Sequence, residues 1–335
     1  MVRVVVAEAS RTLAVHYPWH ASVWDRLADL LRTDRLPHAI LLSGAGGIGK
    51  FQFGRALAQT ILCEAPRQTL ACGQCRHCQL NAAGSHPDFK TLAPEEGARQ
   101  IKIDQVRTVA HFVSQTSQQG GYKVALIAPA EAMNLNATNA LLKTLEEPTE
   151  RTVLILLTES PGSLLATVRS RCQLFPMQTP GLDHAKDWLQ SVIGDRVNAD
   201  ELLKFADGRP LKALQIYESG DLDALKSMET DLQALLTGRT NAIRLSEQWG
   251  QRDIESILAW LSSQVSSLIK LKMSGDSASV WQPVLESLSL SKAYVLYDKT
   301  LESLVQFRRG HNPNKQLLLE DLLLDISRIS KLNLL

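Results

Sequence analysis

Leu41-Leu42-Ser43-Gly44-Ala45-Gly46-Gly47-Ile48-Gly49-Lys50-Phe51 is the stretch of sequence that decides how the first half of this chain folds. The apolar run leading into it, Ala39 to Leu42, predicts a buried parallel strand, and the residues after it predict a helix over roughly 50 to 62. Between them the spacing follows the phosphate-loop pattern G-x-x-x-x-G-K-[ST] up to its last position. Such a loop turns backbone N–H groups toward phosphate oxygens, and its lysine reaches the outer phosphates. The candidate phosphate-binding residues are Gly44, Gly46, Gly47, Gly49 and Lys50.

Other groups that a nucleotide-hydrolysing site needs are missing. Phe51 stands where the pattern has Ser or Thr, whose hydroxyl would bind Mg²⁺. The buried strand over 122–128 ends in Ala128-Pro129, where a working site carries one carboxylate for Mg²⁺ and a second that polarises the attacking water. Glu131 follows a few residues later and is interpreted as a solvated residue at a helix start. We therefore expect no bound Mg²⁺, no hydrolysis by the chain alone, and weak or absent ATP binding.

Four of the five cysteines fall in one short segment, and they are Cys63, Cys72, Cys75 and Cys78. Four thiolates this close in sequence can close a tetrahedron around Zn²⁺, which predicts a structural zinc module over 63–78. An iron–sulfur cluster is one alternative, but its pattern needs a further cysteine at about residue 82 followed by proline, where this chain has Ala82-Ala83. Unrelated surface thiols are the other alternative, which the crowding disfavours. His77 is interpreted as a surface neighbour of the ligands rather than as a ligand.

The order of predicted elements divides the chain into an α/β part and a helical part. Strands alternate with helices as far as about residue 177, which indicates a parallel sheet covered on both faces. Three short helical segments then run to about Ser219, Gly220 marks a boundary, and the rest is helical. A long apolar stripe in that last part runs from Ile254 to Ile269. Such a stripe is usually plain core, and the alternative is a surface that packs against helices of other subunits.

Composition and charge exclude several classes of protein. With 36 basic and 35 acidic residues among 335, the net charge is +1, so a broad phosphate-binding surface is excluded and contact with nucleic acid is expected to be local or shared with partners. No apolar run reaches the roughly 18 residues of a membrane helix, and the N-terminus is too short and too charged for a signal peptide. A cytoplasmic setting is expected, where cysteines are metal ligands or free thiols. Residues 1–16 match no pattern and are interpreted as a loose N-terminal extension.

Two further motifs carry a family resemblance. The helix after strand 122–128 contains Asn139-Ala140-Leu141-Leu142-Lys143-Thr144-Leu145-Glu146-Glu147-Pro148, and a later helix ends at Ser170-Arg171-Cys172. Together with the cysteine cluster, these motifs resemble the delta-prime subunits of the bacterial DNA polymerase III clamp loader, within the AAA+ family, over the chain from Tyr17 onward. The resemblance implies an AAA+-like sheet domain over 17–177 with the zinc module inserted, a small helical lid over 178–219 and an all-helical collar over 220–335. In this family the collar domains assemble a five-subunit ring.

The resemblance also implies roles for single residues. Clamp-loader subunits of this kind place the arginine that matches Arg171 against the γ-phosphate held by a neighbouring subunit, where it stabilises the transition state of phosphoryl transfer. The residues alone support equally well a structural arginine that pairs with a carboxylate. Thr158 matches a first sensor residue. Leu211 takes the place of a second sensor arginine, unless Arg209 is the residue that aligns there.

The function implied by the resemblance is that of a non-hydrolysing scaffold subunit that supplies Arg171 in trans. Its expected partners are gamma- or tau-type ATPase subunits and a delta subunit in a hetero-pentamer and, through that complex, a sliding clamp and primer-template DNA. The chain would then belong to a DNA-directed DNA polymerase holoenzyme without having an independent ATPase activity. One alternative is an AAA+ subunit that hydrolyses ATP itself, which Phe51 disfavours. The other is a zinc-dependent nucleic-acid-binding module, which the near-zero net charge disfavours.

Overall fold

The computed structural model describes residues 13–67, 69–194, 197–274, 281–308 and 313–331. Most of the expected N-terminal extension, residues 1–12, lies outside these ranges. The chain divides into two compact units, one that ends at Ser219 and one that begins at Gly220. No helix in the described part of the chain has both the length and the apolar character that crossing a membrane requires.

The first unit is built on a parallel five-stranded sheet with the strand order β2-β3-β4-β1-β5. Its strands are β1 (Ala39–Ser43), β2 (Phe89–Leu92), β3 (Lys123–Ile127), β4 (Thr152–Thr158) and β5 (Gln173–Pro176). Every residue of the three central strands is buried, as expected for a parallel sheet that helices cover on both faces. Ser43 lies beside Thr158 in the sheet register. The turns that follow β1 and β4 therefore leave the same edge of the sheet next to each other.

Helices pack on both faces of this sheet and form two apolar cores. These helices are α1 (Ala21–Arg32), α2 (Lys50–Ile61), α3 (Arg76–Ala82), α4 (Ile103–Ser114), α5 (Leu135–Glu146) and α6 (Ala166–Arg169). One core contains Trp24 of α1 and Phe53 of α2, and the other contains Val109 of α4 and Leu141 of α5. The predicted parallel sheet with helices on both faces is confirmed.

Three helices complete the first unit, and one of them touches the turn after β1. They are α7 (Leu182–Ile193), α8 (Ala199–Phe205) and α9 (Pro210–Ser219), and each packs against the other two. The backbone N–H of Leu211, in the first turn of α9, donates to the carbonyl oxygen of Gly47 at 3.0 Å. The helices after the sheet thus contribute directly to the surroundings of the phosphate loop.

The second unit is helical, as predicted. Its helices are α10 (Leu222–Leu236), α11 (Ala242–Trp249), α12 (Ile254–Ser274), α13 (Gln282–Ser287), α14 (Leu290–Arg308) and α15 (Lys315–Lys331). The apolar stripe of α12 is buried in this unit's own core, where Leu258, Leu261 and Val265 contact residues of the neighbouring helices. The stripe therefore fits the plain-core interpretation. The alternative, a surface that packs against helices of other subunits, would require these side chains to be exposed.

Candidate phosphate loop, metal site and surface arginine

The loop between β1 and α2 has the backbone shape that its glycines predict. Gly47 and Gly49 have positive φ angles of 77° and 96°, a region that glycine enters without the steric cost other residues have. The Lys50 ammonium group turns back into the loop and donates to the carbonyl oxygens of Gly44 and Ala45, each at 2.7 Å. The lysine is buried, and burial is the main reason its pKa is lowered. The Lys50 ammonium group thus forms these hydrogen bonds within its own loop.

Side chains of the same unit fill the space directly over the loop glycines. A Cβ atom added to Gly46 would lie 2.4 Å from Oε1 of Glu159, and one added to Gly49 would lie 2.4 Å from the Tyr17 ring. A Cβ atom on Gly47 would lie 2.8 Å from the Cβ of Lys212. Because heavy atoms without a hydrogen bond rarely approach closer than about 3.5 Å, these contacts leave no room for a side chain at the three glycines. On that side the loop is closed by its own chain.

An aromatic group at the start of the described sheet unit extends this cover. Tyr17 and Trp19 stack with ring centres 4.9 Å apart, and both meet Trp188 of α7 edge-on at 5.4 Å. Trp19 also donates its indole N–H to the carbonyl oxygen of Ile48 at 2.9 Å, which ties the aromatic group to the loop. His20 is buried beside Phe53, and desolvation is the main cause that lowers its pKa to about 4.

The two residues that follow β3 carry no carboxylate. Ala128 and Pro129 directly follow β3, and Thr158 is fully buried with its hydroxyl accepting the N–H of Ser160 at 3.1 Å. The interpretation of Glu131 as a solvated residue is wrong. It lies in a short 3₁₀ turn (Ala130–Ala132), its Oε1 accepts the backbone N–H of Glu159 at 2.9 Å, and burial raises its pKa. The turn folds back onto the sheet edge, which encloses a side chain that a helix start would have exposed.

Sequence patterns did not single out three of the residues that close the loop, Tyr17, Glu159 and Lys212. The one available signal was the aromatic pair around Pro18, which marks where the ordered pattern begins. Lys212 follows Leu211, the expected second-sensor position, and burial lowers its pKa to about 8. Arg209, the alternative at that position, is held by Asp207 at 2.6 Å and by the carbonyl oxygen of Ala206 at 2.8 Å.

The four clustered cysteines converge as a metal site requires. Their sulfur atoms all lie within 4.8 Å of one another. The separations are 3.9 Å for Cys63–Cys75, 3.9 Å for Cys72–Cys78 and 3.6 Å for Cys63–Cys78. A tetrahedron with Zn–S bonds of about 2.3 Å needs sulfur atoms about 3.8 Å apart. The cluster can hold a metal ion, and its dimensions fit zinc.

Local backbone donors act on two of these sulfur atoms, those of Cys72 and Cys75. Cys72 Sγ accepts the N–H groups of Gln74 and Cys75, which lower its pKa to about 6. Cys75 caps the start of α3 by accepting the N–H of Cys78 at 3.5 Å. Because hydrogen bonds to a thiolate favour the charged form, these donors favour the metal-binding form of Cys72, whereas burial raises the pKa of Cys63 and Cys78.

His77 is not a surface neighbour of this cluster, contrary to its interpretation from sequence. It is buried, with Nδ1 3.0 Å from Nε2 of His86 and Nε2 3.3 Å from a carboxylate oxygen of Glu64. His86 in turn accepts the backbone N–H of Asp88 at 3.0 Å. Position 77 faces inward because α3 packs against the chain that leads into β2. His77 therefore links the cysteine turn to the sheet domain and is not one of the four clustered ligands.

Arg171 lies at the surface just after α6. Its Nη2 is 2.6 Å from Oε1 of Glu146, and Nη1 donates to the carbonyl oxygen of Thr167 at 2.9 Å. About a third of its side chain is exposed. The free chain thus shows the carboxylate pairing that was one of the two sequence interpretations, and a role toward another subunit stays a prediction.

Comparisons with known proteins agree with this arrangement. Residues 19–181 match the family model described as DNA polymerase III, delta subunit, and residues 219–328 match the model for the C-terminal part of that subunit. The DNA polymerase III subunit delta' of Pseudomonas aeruginosa is 35% identical over 317 residues, which cover 92% of this chain and 96% of that relative. The same subunit of Escherichia coli is 37% identical over 222 residues, 65% of each chain.

A match to a different subunit is narrower. The tau subunit of Escherichia coli DNA polymerase III is 29% identical over 241 residues, 72% of this chain but 36% of tau. The match to the Pseudomonas aeruginosa delta' subunit has the higher sequence identity and covers nearly the full length of both chains. The chain therefore belongs to the delta' subunit family of DNA polymerase III.

Proposed function

We propose that this chain is a non-hydrolysing scaffold subunit of a clamp loader, which helps to load a sliding clamp onto primed DNA. The observation that carries the proposal is the closed phosphate loop. Glu159 and Tyr17 cover Gly46 and Gly49, and Lys50 bonds to the loop's own carbonyl groups. Together with the missing hydroxyl at Phe51, this packing favours an architectural role for the loop over the binding of substrate phosphates.

The missing chemical groups support the same proposal. Phosphoryl transfer needs a metal ion to neutralise developing charge and a residue that orients the attacking water. Phe51, Ala128 and Pro129 cannot supply either group. Glu131 is engaged with the backbone of Glu159. The losses affect both the metal-binding position and the two carboxylate positions, so one substitution does not explain them.

Arg171 is the residue that we propose acts in catalysis, in the ATP site of a neighbouring gamma- or tau-type subunit. A guanidinium group presented at a subunit surface can stabilise transition-state charge on a phosphate held by another chain. Arg171 is partly exposed and directly follows the short helix α6. Thr158 occupies the position of a first sensor residue, but we expect no sensor role because the site lacks a metal ligand and a general base.

The helical unit supports a role in assembly. Leu290, Tyr294, Leu301 and Val305 of α14 are each more than a third exposed. At 100° per residue they lie within about 60° of the helix circumference, so they form one apolar stripe. We propose that this collar packs against like helices of the delta subunit and the ATPase subunits in a hetero-pentamer. The four cysteines would hold one structural zinc ion, which stabilises residues 63–82 and takes no part in catalysis.

The test is reconstitution with the gamma- or tau-type ATPase and the delta subunit. We expect the purified chain to show no ATP turnover, and we expect Arg171→Ala to leave assembly intact while lowering DNA- and clamp-stimulated ATPase by about tenfold or more. Arg169→Ala, an exposed arginine two residues earlier, is the matched control and should leave the rate unchanged. Turnover by the pure chain would overturn the non-hydrolysing assignment, and an unchanged rate for Arg171→Ala would overturn the catalytic role.

A further inference from the structure

We infer that Glu146 is a positioning residue for Arg171. Its carboxylate holds the guanidinium group in a fixed orientation at the surface, ready to meet a phosphate of a neighbouring subunit. This inference rests on the proposed function, because it assigns the means by which the arginine of that function is oriented.

The geometry gives the guanidinium two anchors on two different helices. Glu146 is the last residue of α5, and its Oε1 is 2.6 Å from Nη2. Thr167 belongs to α6, and its carbonyl oxygen accepts from Nη1 at 2.9 Å. Two contacts from different directions define both the position and the plane of the group. The guanidinium has five N–H donors, so further donors remain for a phosphate.

The position of the carboxylate is itself fixed. The N–H of Glu147 donates to the carbonyl oxygen of Lys143 at 3.0 Å, which closes the last turn of α5, and Pro148 ends the helix. Leu145, one residue before Glu146, is buried in the core between α5 and the sheet. Glu146 therefore projects from a rigid helix end.

An anchored arginine serves a shared active site better than a free one. A long side chain that is mobile in the free subunit loses its rotational freedom when it meets the phosphate, and this loss weakens the interaction. The pair with Glu146 removes that freedom beforehand. Because the two side chains are about one third and one half exposed, the pair is screened by water and does not hold Arg171 so tightly that a phosphate cannot attract it.

The opposite role would also fit a close ion pair, and it predicts the opposite sign. If Glu146 competed with the phosphate for Arg171, its removal would release the arginine and raise the rate. If Glu146 positions Arg171, its removal lowers the rate through kcat. The lost orientation affects the transition state and leaves the neighbour's own ATP contacts unchanged, so KM stays the same.

The experiment is a double-mutant cycle in the reconstituted complex, with kcat and KM for ATP measured for each variant. We expect Glu146→Ala to lower kcat by about fivefold with KM unchanged, and Glu146→Gln, which keeps an oxygen acceptor, to lower it less. Glu146→Ala/Arg171→Ala should be no slower than Arg171→Ala alone, because both changes act through one guanidinium. Glu147→Ala is the control. Among the described residues the Glu147 carboxylate has no ion-pair partner. The complex that carries Glu147→Ala should therefore have the kcat of the unmodified complex.

Each failure has its own signature. An unchanged or raised kcat for Glu146→Ala, or a double variant slower than Arg171→Ala, overturns the positioning role while the arginine's own role stands. An unchanged rate for Arg171→Ala overturns both. Thermal unfolding and native gel analysis identify any variant that fails to fold or assemble. If Glu146→Ala fails to fold or assemble, Glu146→Gln, which preserves the side-chain shape and removes only the charge, replaces it. An unchanged or raised kcat for Glu146→Gln then overturns the positioning role.

Discussion

The cysteine cluster and the phosphate loop lie at opposite ends of the same helix, α2, and they differ in what the chain has kept. At the C-terminal end, Cys63 meets three other sulfur atoms at separations that suit a tetrahedral metal ion. At the N-terminal end, Lys50 and the glycines retain the loop pattern, but neighbouring side chains occupy the space over it. One site has all four ligands of a structural metal site, and the other keeps the loop pattern without the metal-binding hydroxyl.

The difference follows from how many groups each kind of site needs. A structural metal site needs only its ligand atoms in the right places, and four cysteines supply all of them. Hydrolysis needs a phosphate cradle, a metal ligand and a group that orients water, and these come from several strands. A loop that lacks one of these groups can keep its shape without supporting hydrolysis.

The largest effect is expected from breaking the complete site. Cys78→Ser should reduce zinc content, measured by atomic absorption, from one ion per chain to nearly none. Binding free energy at such a site is folding free energy, so we expect the free energy of unfolding of the sheet unit to fall by about 3 kcal/mol or more, about 6–12 °C in midpoint. Cys172→Ser, which changes the cysteine outside the cluster, is the control and should keep full zinc content. Full zinc content in Cys78→Ser would contradict the four-cysteine assignment.

Buried His20, which lies next to the aromatic residues beside the loop, should make the stability of the sheet unit depend on pH. The pKa of His20 is about 4 in the folded chain and about 6.5 when unfolded, mainly because of burial and then because of His16 and Lys50. The folded state therefore favours the neutral imidazole. Its contribution is fully present above pH 6.5 and is lost as pH falls toward 4, which amounts to about 2 kcal/mol between pH 7 and 4.5.

Urea unfolding of the sheet unit at those two pH values provides the measurement. His20→Gln should remove this part of the pH dependence, whatever it does to stability at pH 7. His184→Gln changes an exposed histidine of α7 and should leave the dependence as it was. An equal loss of stability in the His20 variant and the unmodified chain would show that His20 is not protected from protonation by the fold.

The comparison also shows what sequence can predict. The sheet, the convergence of the cysteines and the missing groups at Phe51 and Ala128 follow from local patterns, because each depends on residue type at fixed spacing. The inward orientation of His77 and Glu131 does not, because it depends on how a short helix and a 3₁₀ turn pack against the sheet. Closure of the loop depends on residues far apart in the chain, and no periodic signal connects them.

A smaller effect is expected from Lys50, the residue that most resembles a catalytic group. Its ammonium group bonds to Gly44 and Ala45. Lys50→Ala should therefore lower the free energy of unfolding by about 1–2 kcal/mol. The ATPase rate of the assembled complex should stay within about twofold, whereas the same change in a hydrolysing subunit removes a phosphate contact. Arg55→Ala on the same helix controls for surface charge. A large fall in complex ATPase with Lys50→Ala would show that the loop acts on nucleotide after all.

The smallest effect is expected from the change that restores the motif. Phe51→Thr completes the pattern G-x-x-x-x-G-K-[ST], yet Glu159 and Tyr17 still cover the glycines and β3 still ends without a carboxylate. We expect no ATP binding in a fluorescent-nucleotide titration with or without Mg²⁺. Adding Tyr17→Ala and Glu159→Ala should allow weak binding that does not require Mg²⁺, because these changes remove the atoms over Gly46 and Gly49. Mg²⁺-dependent binding by Phe51→Thr alone would mean that one hydroxyl group separates this loop from an active one, and the contrast with the cysteine cluster would fail.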